Sequence, residues 1–166
     1  MTHKKDLEKF YMDWYAKVNF LKEEIDEFKK LQNFSIFAIT VFLLKCQIIE
    51  FELKQFIFGL DLYLHSRNLS KPINRRTRTP AKFDSDKLTL GRLKQKIDEF
   101  EGDILKSLQG NLKLLVGKRN AFTHKLFSPG RDIAGLKKEA KAGIKIADEV
   151  LDNLALIEEK LGHKNS

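Results

Sequence analysis

The stretch from Ser35 to His65 constrains this chain most, because it is apolar around most of a helical circumference. Ile36, Phe37, Ile39, Phe42, Leu43, Ile48, Ile49, Leu53, Phe56, Ile57, Leu60 and Leu64 recur at mixed spacings and leave no wide polar face. A helix of this kind must be covered on several sides, by other helices of the chain or by a second subunit. It does not read as a membrane span. Its most apolar part, Phe34 to Leu44, is followed by Lys45, Glu50, Glu52 and Lys54, and is too short to cross a bilayer. Ser35 stands where an N-cap belongs.

Three further helical patterns of similar length can supply the cover, with one short one. The first runs from about Lys4 to Leu31, with Leu7, Phe10, Trp14, Val18, Leu21, Ile25 and Phe28 on one face and i,i+4 charge pairs opposite. Thr89 is a candidate N-cap for a short helix over Leu90–Phe100, which Gly102 breaks. A helix over about Asp103–Phe127 follows and ends at Ser128-Pro129-Gly130. Asp132 can cap the last helix, which presents Leu136, Ala140, Ile144, Ala147, Leu151, Leu154, Ile157 and Leu161. No strand-length alternation and no internal repeat is visible. These patterns predict a single all-α domain over residues 1–166, a bundle of four long helices plus a short one.

A long loop over about 66–88 interrupts the helices. Pro72, Pro80, Ser70 and Asn74 mark it, and it carries Arg67, Lys71, Arg75, Arg76, Arg78 and Lys82 before its first acid, Asp84. Two readings stand side by side: a linker kept soluble by its charges, or an arm that contacts phosphate. The formal charge of +8 and pI near 9.5 point to an acidic partner, nucleic acid first. Hydrophobic residues at 42% and charged residues at 33% argue against general disorder. The single cysteine, Cys46, lies in the apolar stretch and reads as a buried thiol in a reducing compartment. The amino terminus lacks the apolar run of a signal peptide, so a cytoplasmic location is expected.

Arg119 sits where a hydrophobe belongs. Leu105, Leu108, Leu112 and Leu115 precede it and Phe122 and Leu126 follow it at the spacing of one helical face, near the middle of which Arg119 falls. Desolvating a guanidinium is costly unless an acid or an anion meets it. Either a carboxylate waits across the interface, with Glu50 of the apolar helix the candidate, or the position is built to receive an anion.

Arg119, Asn120 and His124 form an Arg-polar-x3-His motif near the end of a helix. With Thr89-Leu90-Gly91-Arg92-Leu93 upstream and His124-Lys125-Leu126-Phe127 closing it, the region from Leu88 to Phe127 resembles the HEPN (higher eukaryotes and prokaryotes nucleotide-binding) superfamily. The resemblance implies a HEPN-like helical bundle and metal-independent endoribonuclease activity at a homodimer interface where two motifs face each other. It implies His124 as general acid/base, Arg119 as phosphate and transition-state ligand, and Asn120 as positioner. A toxin or phage-defence role with a protein antitoxin would follow, or alternatively a non-catalytic dimeric binding or scaffold protein.

The chemistry can be reasoned without the family. RNA carries its own nucleophile, the 2′-hydroxyl, so its cleavage needs proton transfer and stabilisation of charge on phosphorus. Histidine as a residue type titrates near pH ~6.5 and suits either proton role. Arginine offers forked donors that match phosphate oxygens. Arg75, Arg76, Arg78, Lys118 and Lys125 are the candidate RNA contacts. No cofactor or metal is called for, since the four histidines are scattered and no acidic cluster has ligand spacing. HEPN toxins controlled by adenylylation usually carry Tyr two residues after the motif histidine. Leu126 stands there instead.

Overall fold

The computed structural model describes residues 15–16, 18–23, 37–65, 73–75, 88–126 and 133–162. Within these the fold is all-α. Helix α1 is seen as residues 15–16 and 18–23, α2 as Phe37–His65, α3 as Leu90–Ile97, α4 as Lys106–Leu126 and α5 as Ile133–Gly162. The remainder of the expected first helix, the Ser35 cap and the Asp132 cap lie outside the described residues.

The broad apolar surface of α2 is divided between neighbours, as its composition requires. One side joins a core with Leu93 and Ile97 of α3, Leu108, Leu112, Leu115 and Phe122 of α4, and Ala140, Ala147 and Val150 of α5, all at most 1% exposed. The other side meets α1, where Val18 packs with Val41 and Ile48. Helix α5 lies against both α2 and α4. Lys45 of α2 bridges to Asp148 of α5 at 2.5 Å.

Helix α5 approaches α2 unusually closely at Gly143. A Cβ built there would lie 2.4 Å from Phe42 Cε2, so only glycine leaves room for the ring. Phe42 in turn meets Phe122 of α4 edge-to-face, with centroids 5.4 Å apart and planes at 85°. Such a pair contributes about 0.5–1.5 kcal/mol beyond its buried area.

Two boundaries differ from the sequence expectation. The short helix stops at Ile97 rather than Phe100, and Phe100–Glu101 instead form a strand, β2. Its partner is β1, Asn74–Arg75, in antiparallel register with Asn74 opposite Glu101 and Arg75 opposite Phe100. A ladder of two-residue strands is too short to show alternation. Gln109 reaches back from α4 and donates to the carbonyls of Ile97 (3.2 Å) and Phe100 (3.0 Å), satisfying acceptors that the end of α3 leaves open. The predicted helix from Asp103 opens as a 3₁₀ turn, Asp103–Leu105, before α4 begins at Lys106.

Thr89 holds the extended backbone of an N-cap, but its side chain makes no capping bond. The cap is Glu50, whose Oε1 accepts the Leu90 N–H at 3.0 Å. A carboxylate at the first turn also meets the positive end of the helix dipole.

Candidate functional site

Helix α4 positions the motif. Its buried stripe of Leu108, Leu112, Leu115 and Phe122 fixes the rotation of the helix, and Arg119 falls half-buried within that stripe. Thr123 Oγ1 donates to the Arg119 carbonyl at 2.8 Å, so the hydroxyl closes back on the turn that carries the arginine. The Arg119 guanidinium makes no ion pair with a carboxylate among the described residues. Glu50, the expected acidic candidate, is spent on the α3 cap instead.

What Arg119 does meet is electrostatically visible at Cys46. Burial pushes the Cys46 thiol up to about 12, Arg119 opposes that rise and Glu50 adds to it. The buried thiol therefore stays protonated and lies within the field of the guanidinium. The apolar spacing of α2 puts Cys46 in the core, but its neighbourhood with Arg119 depends on how the fold brings α2 and α4 together, which no local pattern encodes.

His124 and Asn120 are exposed on the last turns of α4, and Lys118 is half-buried. Helical geometry persists through Leu126. Five residues on a regular helix turn ~140°, with Cα atoms roughly 8 Å apart. Arg119 therefore faces the interior of the bundle while His124 faces outward, and one copy does not bring them onto one face. Lys125 bridges to Glu139 of α5, which places the end of α4 beside the first turns of α5.

Arg75 corrects the expectation of a loop arginine free for RNA. Its Nη1 donates to Asp61 of α2 and its Nη2 to Glu99, each at 2.9 Å. The guanidinium carbon lies 5.3 Å from the centroid of the Phe100 ring. Its Nε is buried without a partner. Desolvation pushes the Glu99 carboxyl up, but hydrogen bonds from Lys96 and Arg75 outweigh it and hold the group below its ordinary 4.5. Arg75 is a clamp between the ladder, α2 and the end of α3. Arg76 and Arg78 lie outside the described residues.

Among the clefts lined by described residues, two stand out, and neither of these includes Arg119 or His124. One of about 450 Å³ lies between α1 and α2, beside Phe20, Gln47, Glu50, Phe51 and Lys54. The other, about 420 Å³, lies at the ladder beside Asn74, Glu101, Asp103 and Gln109. No group of three or more metal-ligating side chains occurs among the described residues, and no helix there is long and apolar enough to cross a membrane. Compared with known proteins, the chain matches no protein-family model, no curated protein and no solved structure.

Proposed function

We propose that this chain is an endoribonuclease of the HEPN type, cutting RNA by attack of its own 2′-hydroxyl. One observation carries the reading: a guanidinium held half-buried in the apolar stripe of α4 with no described carboxylate against it. A cation in that setting is compensated when an anion arrives, and a phosphodiester fits the forked donors. In the reaction the 2′-oxygen forms a bond to phosphorus and the bond to the 5′-oxygen breaks. The products are a 2′,3′-cyclic phosphate and a 5′-hydroxyl. One imidazole takes the 2′-hydroxyl proton and a protonated group supplies one to the leaving oxygen. A homodimer provides two copies of His124 for these roles and offsets the ~140° between Arg119 and His124 within one copy. Arg119 binds the phosphate and its developing charge, and Asn120 positions substrate. The catalytic groups are side chains alone, which makes the proposed cut metal-independent. A cytoplasmic toxin or phage-defence RNase held in check by a partner protein is the setting this activity fits.

A second reading is favoured by the exposure of His124 on a different face from Arg119: a non-catalytic dimeric binding protein of the same fold. The experiment separates them. Purified protein is incubated with single-stranded RNA in the presence of a chelator, and the ends are mapped. Cleavage leaving cyclic phosphate is expected, with losses of about 10²-fold or more in Arg119→Ala and His124→Ala. Intact RNA with the wild type, or undiminished cleavage by both variants, refutes the nuclease and leaves the binding protein.

A further inference from the structure

Helix α5 carries its charges in the reverse of the order that its own dipole favours. Its first half holds Lys137, Lys138, Lys141 and Lys145 against the single acid Glu139; its second half holds Asp148, Glu149, Asp152, Glu158 and Glu159 against Lys160. The dipole acts mainly on the first and last turns, so the cost of this arrangement lies in the gathering of like charges. Lys137, Lys141 and Lys145 also repeat at i,i+4, and Lys138 joins Lys141 at i,i+3, spacings at which like charges repel.

All four lysines are exposed, and none is ion-paired with a described carboxylate. Elsewhere the lysines Lys45, Lys94, Lys96, Lys106 and Lys125 each have one. Even the acid within the lysine half, Glu139, is taken up by Lys125. The buried positions Leu136, Ala140, Ala147 and Val150 set the rotation of α5, and Lys138, Lys141 and Lys145 fall on the opposite side, in one stripe. The Lys125–Glu139 bridge lies toward the packed side of α5, so the lysine stripe is left facing outward.

We infer that the Lys137–Lys145 stripe of α5 is the surface that holds the phosphodiester backbone of single-stranded RNA. The inference rests on the reading of this chain as an RNA-acting protein. It replaces Arg75, which is clamped, as the source of cationic guidance. The local cost of gathered lysines is offset by release of counterions when a polyanion binds. The acids at Glu149 and Asp152, further along the same stripe, repel the backbone and mark where the track stops.

The test measures binding of a labelled short single-stranded RNA to the full chain across a salt series, in the His124→Ala background so that cleavage does not deplete the probe. Lys138→Gln/Lys141→Gln/Lys145→Gln should weaken binding about 10-fold or more at low salt and make the log–log salt slope shallower by about 2. Gln keeps good helix propensity, so circular dichroism should not change. Lys106→Gln/Lys113→Gln, elsewhere on the surface, should leave the slope as it was. An unchanged slope in the triple variant overturns the inference. So does a triple variant that keeps its RNA affinity but loses self-association, which would assign the stripe to a second copy of the chain. Lysine-dependent binding without cleavage by the wild type would sink the nuclease and keep the surface; cleavage with an unchanged slope would do the reverse.

Discussion

Arg75 and Arg119 are two half-buried guanidiniums at the edge of one core, and their surroundings differ in kind. Arg75 reaches Asp61 and Glu99 with separate nitrogens and lies over the Phe100 ring. Arg119 stands in the leucine stripe of α4, its charge felt at a buried thiol, with no ion pair to a described carboxylate. A cation whose charge is answered within the chain is part of the scaffold. One left unanswered at a similar depth is what an anion site requires before its ligand arrives.

The comparison can be broken in order of effect. Removing the clamp should be the most damaging: Arg75→Ala takes away the guanidinium that two part-buried carboxylates share and should cost about 2–3 kcal/mol in urea unfolding. A loss below about 0.5 kcal/mol would make Arg75 a surface residue after all. Next come double-mutant cycles. Arg75 with Glu99 should couple by about 1 kcal/mol or more, whereas Arg119 with Glu50 should couple by less than about 0.5. Strong coupling in the second cycle would turn Arg119 into an ordinary ion-pair partner.

Acid titration sharpens the same contrast. Glu99 is held below 4.5 in the folded chain, so its contribution is complete above that pH and is lost as pH falls through the folded value. Glu99→Gln should therefore flatten the wild type's acid-limb decline in stability, by roughly 1 kcal/mol or less. The smallest change in stability belongs to Arg119→Leu. Filling the stripe with a hydrophobe should shift unfolding by under about 1 kcal/mol, in the stabilising direction, while RNA cleavage disappears. A large destabilisation would show that the guanidinium is already answered within the fold.

The helices were legible because their signals are periodic and local. The surround of α2 follows from its composition, and the half-burial of Arg119 follows from its phase among Leu112, Leu115 and Phe122. What was not legible depends on residues distant in sequence. Arg75 sits in a basic run and reads as solvated; its partners lie 14 and 24 residues away. Glu50 caps a helix that starts 40 residues later. The Arg119–His124 divergence follows from α4 staying helical to Leu126, where a frayed end could have let the two converge. The α5 lysines are plain in the sequence, but the apolar spacing that identifies the helix carries no information on which of its charges find partners.

Gly143 has a mechanical consequence for the candidate site. The ring it admits, Phe42, is braced on Phe122, two residues before His124. Side-chain bulk added on α5 would have to be absorbed by that aromatic pair, and the displacement would reach the turn carrying the imidazole. A larger residue at position 143 should therefore disturb the end of α4 while leaving the motif itself unaltered.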